Sequence, residues 1–380
     1  MLVSPRVELV QGSVRKICQL TGERDRERNT SAFNRTETRF GVVGTDLGSS
    51  FEHDRRLWFL FGDTWPDAAS GDSVAWTTDR TPEPGIRLTF VSAASRFISP
   101  RVSTSDGLFL STGAFEVPVA GFSANGHMYV FRSTDHYRDD GREVMGRSVL
   151  TRAAGGDPTN LSCLYDFSVV RHGGKFVNVA CVAMDDGPSG LPFRGPALLA
   201  WGSGRYRASD AYLACAPLGA VEDKASWRFY CGRDGRSARP IWCAEESEAL
   251  ALFPHPQIGE LSVTWNAPLG VWLLLYNAGS PRGINARVSE HPWGPWSDPV
   301  VVFDPTWAHT GYGAFMHARN GRDDLSDPGR EDEWGGEYGP YVIDRYTRAV
   351  AKGRAAVYFV MSTWNPYNTV EMRMVLRRAY

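Results

Sequence analysis

Apolar residues along this chain gather in short runs, not in helical stripes. Examples are Leu57-Trp-Phe-Leu-Phe, Arg87-Leu-Thr-Phe-Val, His127-Met-Tyr-Val-Phe, Phe176-Val-Asn-Val-Ala, Ala197-Leu-Leu-Ala-Trp, Leu261-Ser-Val-Thr-Trp, Val271-Trp-Leu-Leu-Leu-Tyr and Ala356-Val-Tyr-Phe-Val-Met. Such runs, rich in aromatic and β-branched residues and bounded by Gly, Pro, Asn or Asp, predict β-strands. Turn residues precede several of them: Asp54-Arg-Arg, Asn125-Gly-His, Gly173-Gly-Lys and Pro268-Leu-Gly. These read as hairpins leading into the inner strand of a sheet unit. About five such units, recurring roughly every 50–90 residues, fit between Phe40 and Arg378. Repeated four-stranded units without a strict period predict an all-β, single-domain, five-bladed β-propeller over residues 40–380. Residues 1–39, polar and charged around Gly22-Glu-Arg-Asp-Arg-Glu-Arg-Asn, read as an N-terminal lead-in packing on the propeller. A sandwich or barrel uses the same strand signals, but a sandwich of this length needs two domains, and no linker is visible.

Composition sharpens this picture in three places. Thirteen Trp, 14 Tyr and 19 Phe beside 39 Gly and 23 Pro agree with short aromatic strands and many turns. A net charge of −2 supplies no field to draw in nucleic acid. The longest apolar runs fall far short of the ~20 residues of a membrane-spanning helix. The start Met1-Leu-Val-Ser-Pro-Arg lacks the layout of a secretory signal, so the compartment is left open between the cytoplasm and export on a leader not seen here. The six cysteines show no CxxC spacing and read as small buried hydrophobes.

Carboxylates set among Gly and aromatic residues are the candidate chemistry. Asp46 lies in Gly44-Thr-Asp-Leu-Gly, and Asp63 in Phe61-Gly-Asp-Thr-Trp65. The strand between them puts both at loop ends flanking adjacent strands of one blade, while an Asx-turn is the ordinary use of either residue. Asp166 in Leu164-Tyr-Asp-Phe-Ser, Glu260 in Gly259-Glu-Leu-Ser-Val-Thr-Trp and Glu337 in Gly335-Gly-Glu-Tyr-Gly are further candidates. Burial of Glu260 near Trp265 would raise its proton affinity, and a capping or ion-paired role is the alternative. His53 lies between the two aspartates. No HxH or HExxH pattern, nucleophile elbow or phosphate-binding loop occurs, so no metal or cofactor is expected. Paired carboxylates in aromatic surroundings fit glycosidic bond cleavage, which needs one acid and one base or nucleophile.

The blocks Gly44-Thr-Asp-Leu-Gly, Phe51-Glu-His-Asp, Leu57 to Trp65, Trp201-Gly-Ser-Gly-Arg-Tyr-Arg, Gly259 to Asn266, Gly336-Glu-Tyr-Gly-Pro-Tyr and Met361-Ser-Thr-Trp-Asn-Pro-Tyr resemble glycoside hydrolase family 183, formerly a domain of unknown function. Gly294-Pro-Trp-Ser-Asp-Pro resembles a turn common in five-bladed sugar-hydrolase propellers. The family resemblance implies a five-bladed propeller, endo-acting cleavage of D-arabinan, and Asp46 and Asp63 as the catalytic carboxylates.

The expectation is therefore a glycoside hydrolase acting on a furanose-containing polysaccharide. Glu260 and Asp166 tune or orient the acid. His53, Trp65, Arg205, Asn277, Glu337, Tyr338, Trp364 and Asn365 contact sugar, with Trp265 as a further platform. The alternatives are a non-catalytic carbohydrate-binding propeller and a metal-dependent phosphodiesterase or lactonase propeller.

Overall fold

Arg56–Phe61 shows why the chain stacks sheets. Leu57, Phe59 and Phe61 face one way, Trp58 and Leu60 the other, and all five are buried. A strand apolar on both faces must be covered on both. Leu57, Phe59 and Phe61 pack with Tyr358 and Val360, whereas Trp58 and Leu60 pack with Met128 and Val130. One sheet is thus wedged between two others. The computed structural model describes residues 5–66, 71–308, 310–318, 323, 325, 330 and 333–379, and among them this wedge recurs five times, with one apolar cluster at each sheet-to-sheet interface.

The result is a five-bladed β-propeller. Each blade is an antiparallel meander whose first strand is innermost. The inner strands are Leu47–His53, Pro118–Ala124, Asn178–Met184, Leu261–Asn266 and Glu337–Val342. Each touches the next, and the fifth touches the first, which closes the ring. Tight hairpins join inner to second strands: Asp54 and Arg55 in blade 1, and Asn125 and Gly126 in blade 2, all have positive φ, as a twisted two-residue hairpin requires.

Two expectations change here. Three of the four runs read as inner strands, those in Arg56–Phe61, His127–Asp139 and Val271–Gly279, are second strands. The second strand lies between neighbouring blades and is apolar on both faces, while the inner strand shows one face to the channel and keeps Ser49, Ser50 and Ser262 there. The turns at Asp54, Asn125 and Pro268 therefore lead out of inner strands, whereas Gly173-Gly-Lys leads into the inner strand Asn178–Met184, as expected. The N-terminal segment is more than a lead-in: Arg6–Leu9 and Arg15–Gln19 pair in succession along the outer edge of Asn368–Ala379, completing blade 5. Both ends of the chain share one sheet, which protects that edge.

Cys231 and Cys243, expected as isolated buried thiols, form a disulfide across two adjacent strands of blade 3, with Cα atoms 6.1 Å apart. Cys18 and Cys215 are buried and free. His309 and most of the polar segment 319–332 lie outside the described residues. No helix among the described residues is long and apolar enough to cross a membrane.

Candidate active site

Because every blade begins at its innermost strand, residues just before those strands gather at one end of the channel. Asp46, Val117, Val177, Glu260 and Gly336 hold equivalent positions there. The second strand of each blade runs back to the same end, so the loops after it complete the mouth. They carry Asp63 and Trp65 in blade 1, Tyr206 and Arg207 in blade 3, and Tyr367 in blade 5.

Asp46 and Asp63 bracket the first hairpin. Leu47 pairs with Phe61, and the Gly62 N–H donates to the Asp46 carbonyl at 3.1 Å. Gly62 is needed for closeness: a Cβ there would lie 2.4 Å from Asp46 Oδ1. Asp46 is half-buried. Its Oδ2 accepts the Tyr338 hydroxyl at 3.0 Å, and its Oδ1 is buried without a partner. Burial, then the Asp63 charge and more weakly that of Glu260, push the Asp46 carboxyl well above the usual range, against hydrogen bonds from Tyr338 and Tyr367.

Asp63 is raised to about 6, mainly by burial, with the Phe115 N–H and the His136 imidazole opposing. That N–H lies 3.1 and 3.2 Å from the two carboxylate oxygens. Phe115 donates it from a left-handed backbone, φ 68°, a conformation costing about 1–3 kcal/mol in a residue with a side chain. Its ring stacks on His136 with centroids 4.7 Å apart. Tyr367 ties the pair together: its hydroxyl donates to the Asp63 carbonyl at 2.8 Å, while its charge-coupling reaches Asp46.

Glu260 is buried and held from blade 3. The Tyr206 hydroxyl donates to Oε1 at 2.7 Å, and Arg207 reaches Oε2 at 3.3 Å. Tyr206, Tyr338 and Tyr341 have hydroxyls raised first by burial, with Asp46 and Glu260 adding to it. Asp46, Asp63 and Glu260 therefore act in one electrostatic neighbourhood, floored by tyrosines.

The other expected residues divide. Tyr338 touches Asp46 directly. Trp65, 38% exposed, and Trp364, 46% exposed, stand against Tyr367 with centroids 5.5 and 5.8 Å from it, so both indoles offer open surface beside the pair. Glu337 is buried against Arg282 at 3.4 Å, and burial raises its carboxyl. Asn277 supports Glu260 through the backbone, its N–H donating to the Glu260 carbonyl at 3.3 Å. Asn365 is fully buried and turned to the chain, donating to the carbonyls of Arg330 and Glu333 at 2.7 and 2.6 Å.

Four expectations are not met by the geometry. Asp166 lies on the fourth strand of blade 2, in chain order, and is ion-paired with Arg147 at 2.8 Å, far out along the blade. His53 ends the first inner strand, at the opposite end of the channel from Asp46, and bonds Ser123 at 2.8 Å. Trp265 occupies the corresponding far end of its own inner strand. Arg205 turns away to Asp139 at 2.8 Å, while its neighbours Tyr206 and Arg207 turn in. Tyr206, Arg207, Tyr367 and Phe115 were not singled out from sequence. The first three lie inside blocks noted for their resemblance, but side-chain direction in a turn leaves no pattern to read. Among the described residues no cluster of three His, Cys, Asp or Glu is arranged to hold a metal ion.

Comparison with solved structures gives distant likenesses. A GH62 hydrolase in complex with xylotriose is 12% identical over 95% of this chain and 97% of its own, with TM-score 0.46. An α-L-arabinofuranosidase from Podospora anserina in complex with cellotriose is 10% identical over 96% of each chain, TM-score 0.44. An endo-arabinase from Bacteroides thetaiotaomicron is 14% identical over 88% of this chain and 94% of its own, TM-score 0.41. No curated protein matches the sequence. Residues 31–373 match the family described as a domain of unknown function, DUF4185, and the chain belongs to that family.

Proposed function

We propose that the chain is a glycoside hydrolase cleaving a furanose-containing polysaccharide within its chain, D-arabinan by the resemblance of its Gly44–Trp65 and Met361–Tyr367 blocks. The observation that carries the reading is the pair Asp46 and Asp63: two carboxylates set on one hairpin, both with raised proton affinity, the Asp63 charge adding to the cost of ionising Asp46. Such a pair shares one proton over a broad pH range. Asp46, held by burial and the neighbouring Asp63 well above the usual carboxylate range, is the acid and gives its proton to the departing glycosidic oxygen. Asp63, ionised above about 6 and stabilised by the Phe115 N–H, takes a proton from water or attacks the anomeric carbon. Glu260, fixed by Tyr206 and Arg207, stands beside the pair and orients the acid. Trp65 and Trp364 take sugar faces.

A sugar-binding module without chemistry has no use for two carboxylates held at such a cost to their ionised forms. The reading is tested by incubating the purified protein with D-arabinan, L-arabinan and galactan and separating the products by chromatography. New oligosaccharides from D-arabinan are the expected result, and three unchanged substrates would refute it.

A further inference from the structure

A second concavity opens at the other end of the propeller. It has a volume of about 460 Å³, within the range of small-molecule sites, and lies where inner strands end instead of begin. Its walls are the ends of Asn178–Met184 and Leu261–Asn266, with Asp185, Asp186, Trp265, Asp344 and Thr347 around the rim. An inner strand of seven residues at ~3.3 Å each places this opening about 20 Å from the catalytic mouth. Between the two ends, a pocket of about 40 Å³ beside Ser262 and Tyr341 has room for a water and not for a sugar.

Two features prominent in the sequence and unused at the catalytic mouth meet here: Trp265, and the Asp185-Asp-Gly-Pro-Ser-Gly insertion. Trp265 is 38% exposed, yet it is braced from behind. Its ring meets Trp272 edge-on at 5.6 Å, and Trp272, buried, packs on the fully buried Trp201 at 5.3 Å. The indole is therefore a fixed flat surface open to the cavity, which loses little entropy when covered. Asp344 is fixed as well, its Oδ1 accepting the Thr264 hydroxyl at 2.6 Å. The rim thus offers carboxylate acceptors beside one apolar plane. A sugar ring presents the complement, an apolar face of C–H groups and an edge of hydroxyl donors.

We infer that this cavity is a second, non-catalytic glycan-binding site, with Trp265 as the stacking platform and Asp185, Asp186 and Asp344 accepting sugar hydroxyls. It rests on the reading of the chain as a polysaccharide hydrolase, since a remote site of this kind holds a long substrate while the other mouth works. Such two-point attachment raises affinity for polymer and not for short fragments.

The test uses the full-length chain carrying Asp63→Asn, titrated calorimetrically with D-arabinan oligosaccharides, with and without Trp265→Ala. Two sites per chain are expected for the parent and one for the Trp265→Ala protein. In the otherwise native chain, Trp265→Ala should leave kcat on a short oligosaccharide unchanged and raise KM for the polymer several-fold. Unchanged stoichiometry and KM in Trp265→Ala would overturn the site while leaving the hydrolase reading intact. Failure of the parent to bind or cleave any arabinan would overturn both. Binding at this end of choline instead of sugar, lost in Trp265→Ala, would also overturn it, because an acidic aromatic pocket can serve cations.

Discussion

Tyr338 donates its hydroxyl to Asp46 Oδ2 at 3.0 Å across 292 positions of sequence, joining the last blade's inner strand to the residue that starts the first. The bond lies where the ring closes, so the surroundings of Asp46 are complete only when the propeller is. Tyr338→Phe removes the donor and little volume. A hydrogen bond to a neutral group contributes about 0.5–1.5 kcal/mol, so kcat should fall roughly 2- to 10-fold with the thermal midpoint nearly unchanged. Steady-state kinetics beside a melting curve separates the two effects.

On the proposed roles, Asp63 should set the acid limb of the activity profile. Its carboxyl is raised to about 6, and the base or nucleophile must be ionised, so the rate should climb as pH rises through about 6 and level off above it. A limb near 4, the ordinary carboxylate range, would mean that Asp63 is not the titrating group. The rate against pH at saturating and limiting substrate decides this.

Arg207 and Arg205 are two residues apart and should behave oppositely. Removing Arg207 leaves the buried Glu260 without its cation, and turnover should drop at least tenfold. Arg205 pairs with Asp139 on the surface, where such pairs contribute about 0–1 kcal/mol, so Arg205→Ala should leave kcat and stability within a factor of two or three. Assays of both alanine variants under one condition make the comparison.

The fold class was legible because blade strands carry an unambiguous apolar pattern, and the nearness of Asp46 and Asp63 because both lie within two residues of glycine at the ends of the first hairpin. The blade order was harder. A second strand such as Arg56–Phe61, covered on both faces, looks more like a core strand than the inner strand does, because Leu47–His53 must keep polar groups toward the channel. Asp166 failed for a related reason: its run alternates as an inner strand would, yet it lies three strands out, and only pairing reveals that. Arg205 and Asn365 were one or two residues from Tyr206, Arg207 and Tyr367. Which way a loop side chain turns depends on tertiary neighbours such as Asp139 and the Arg330 carbonyl, which no local pattern announces.

Glu371 offers a test of the fold independent of activity. It is fully buried on the strand of blade 5 beside Cys18, accepting the Ile86 N–H at 3.2 Å, and burial raises its carboxyl to about 8. The folded state thus holds a proton that the unfolded chain releases near 4.5. Its stabilising contribution is complete below that value and is lost as pH rises toward 8, at about 1.4 kcal/mol per pH unit. Denaturant unfolding of the native chain from pH 5 to 9 should show this decline, and Glu371→Gln should flatten it.

The most direct measurement is cleavage of D-arabinan by Asp46→Asn and Asp63→Asn beside the native chain, with folding checked by circular dichroism and binding by titration. The account predicts that each folded variant binds the polymer and releases no fragments, while the native chain does. Cleavage by either variant at the native rate would contradict it.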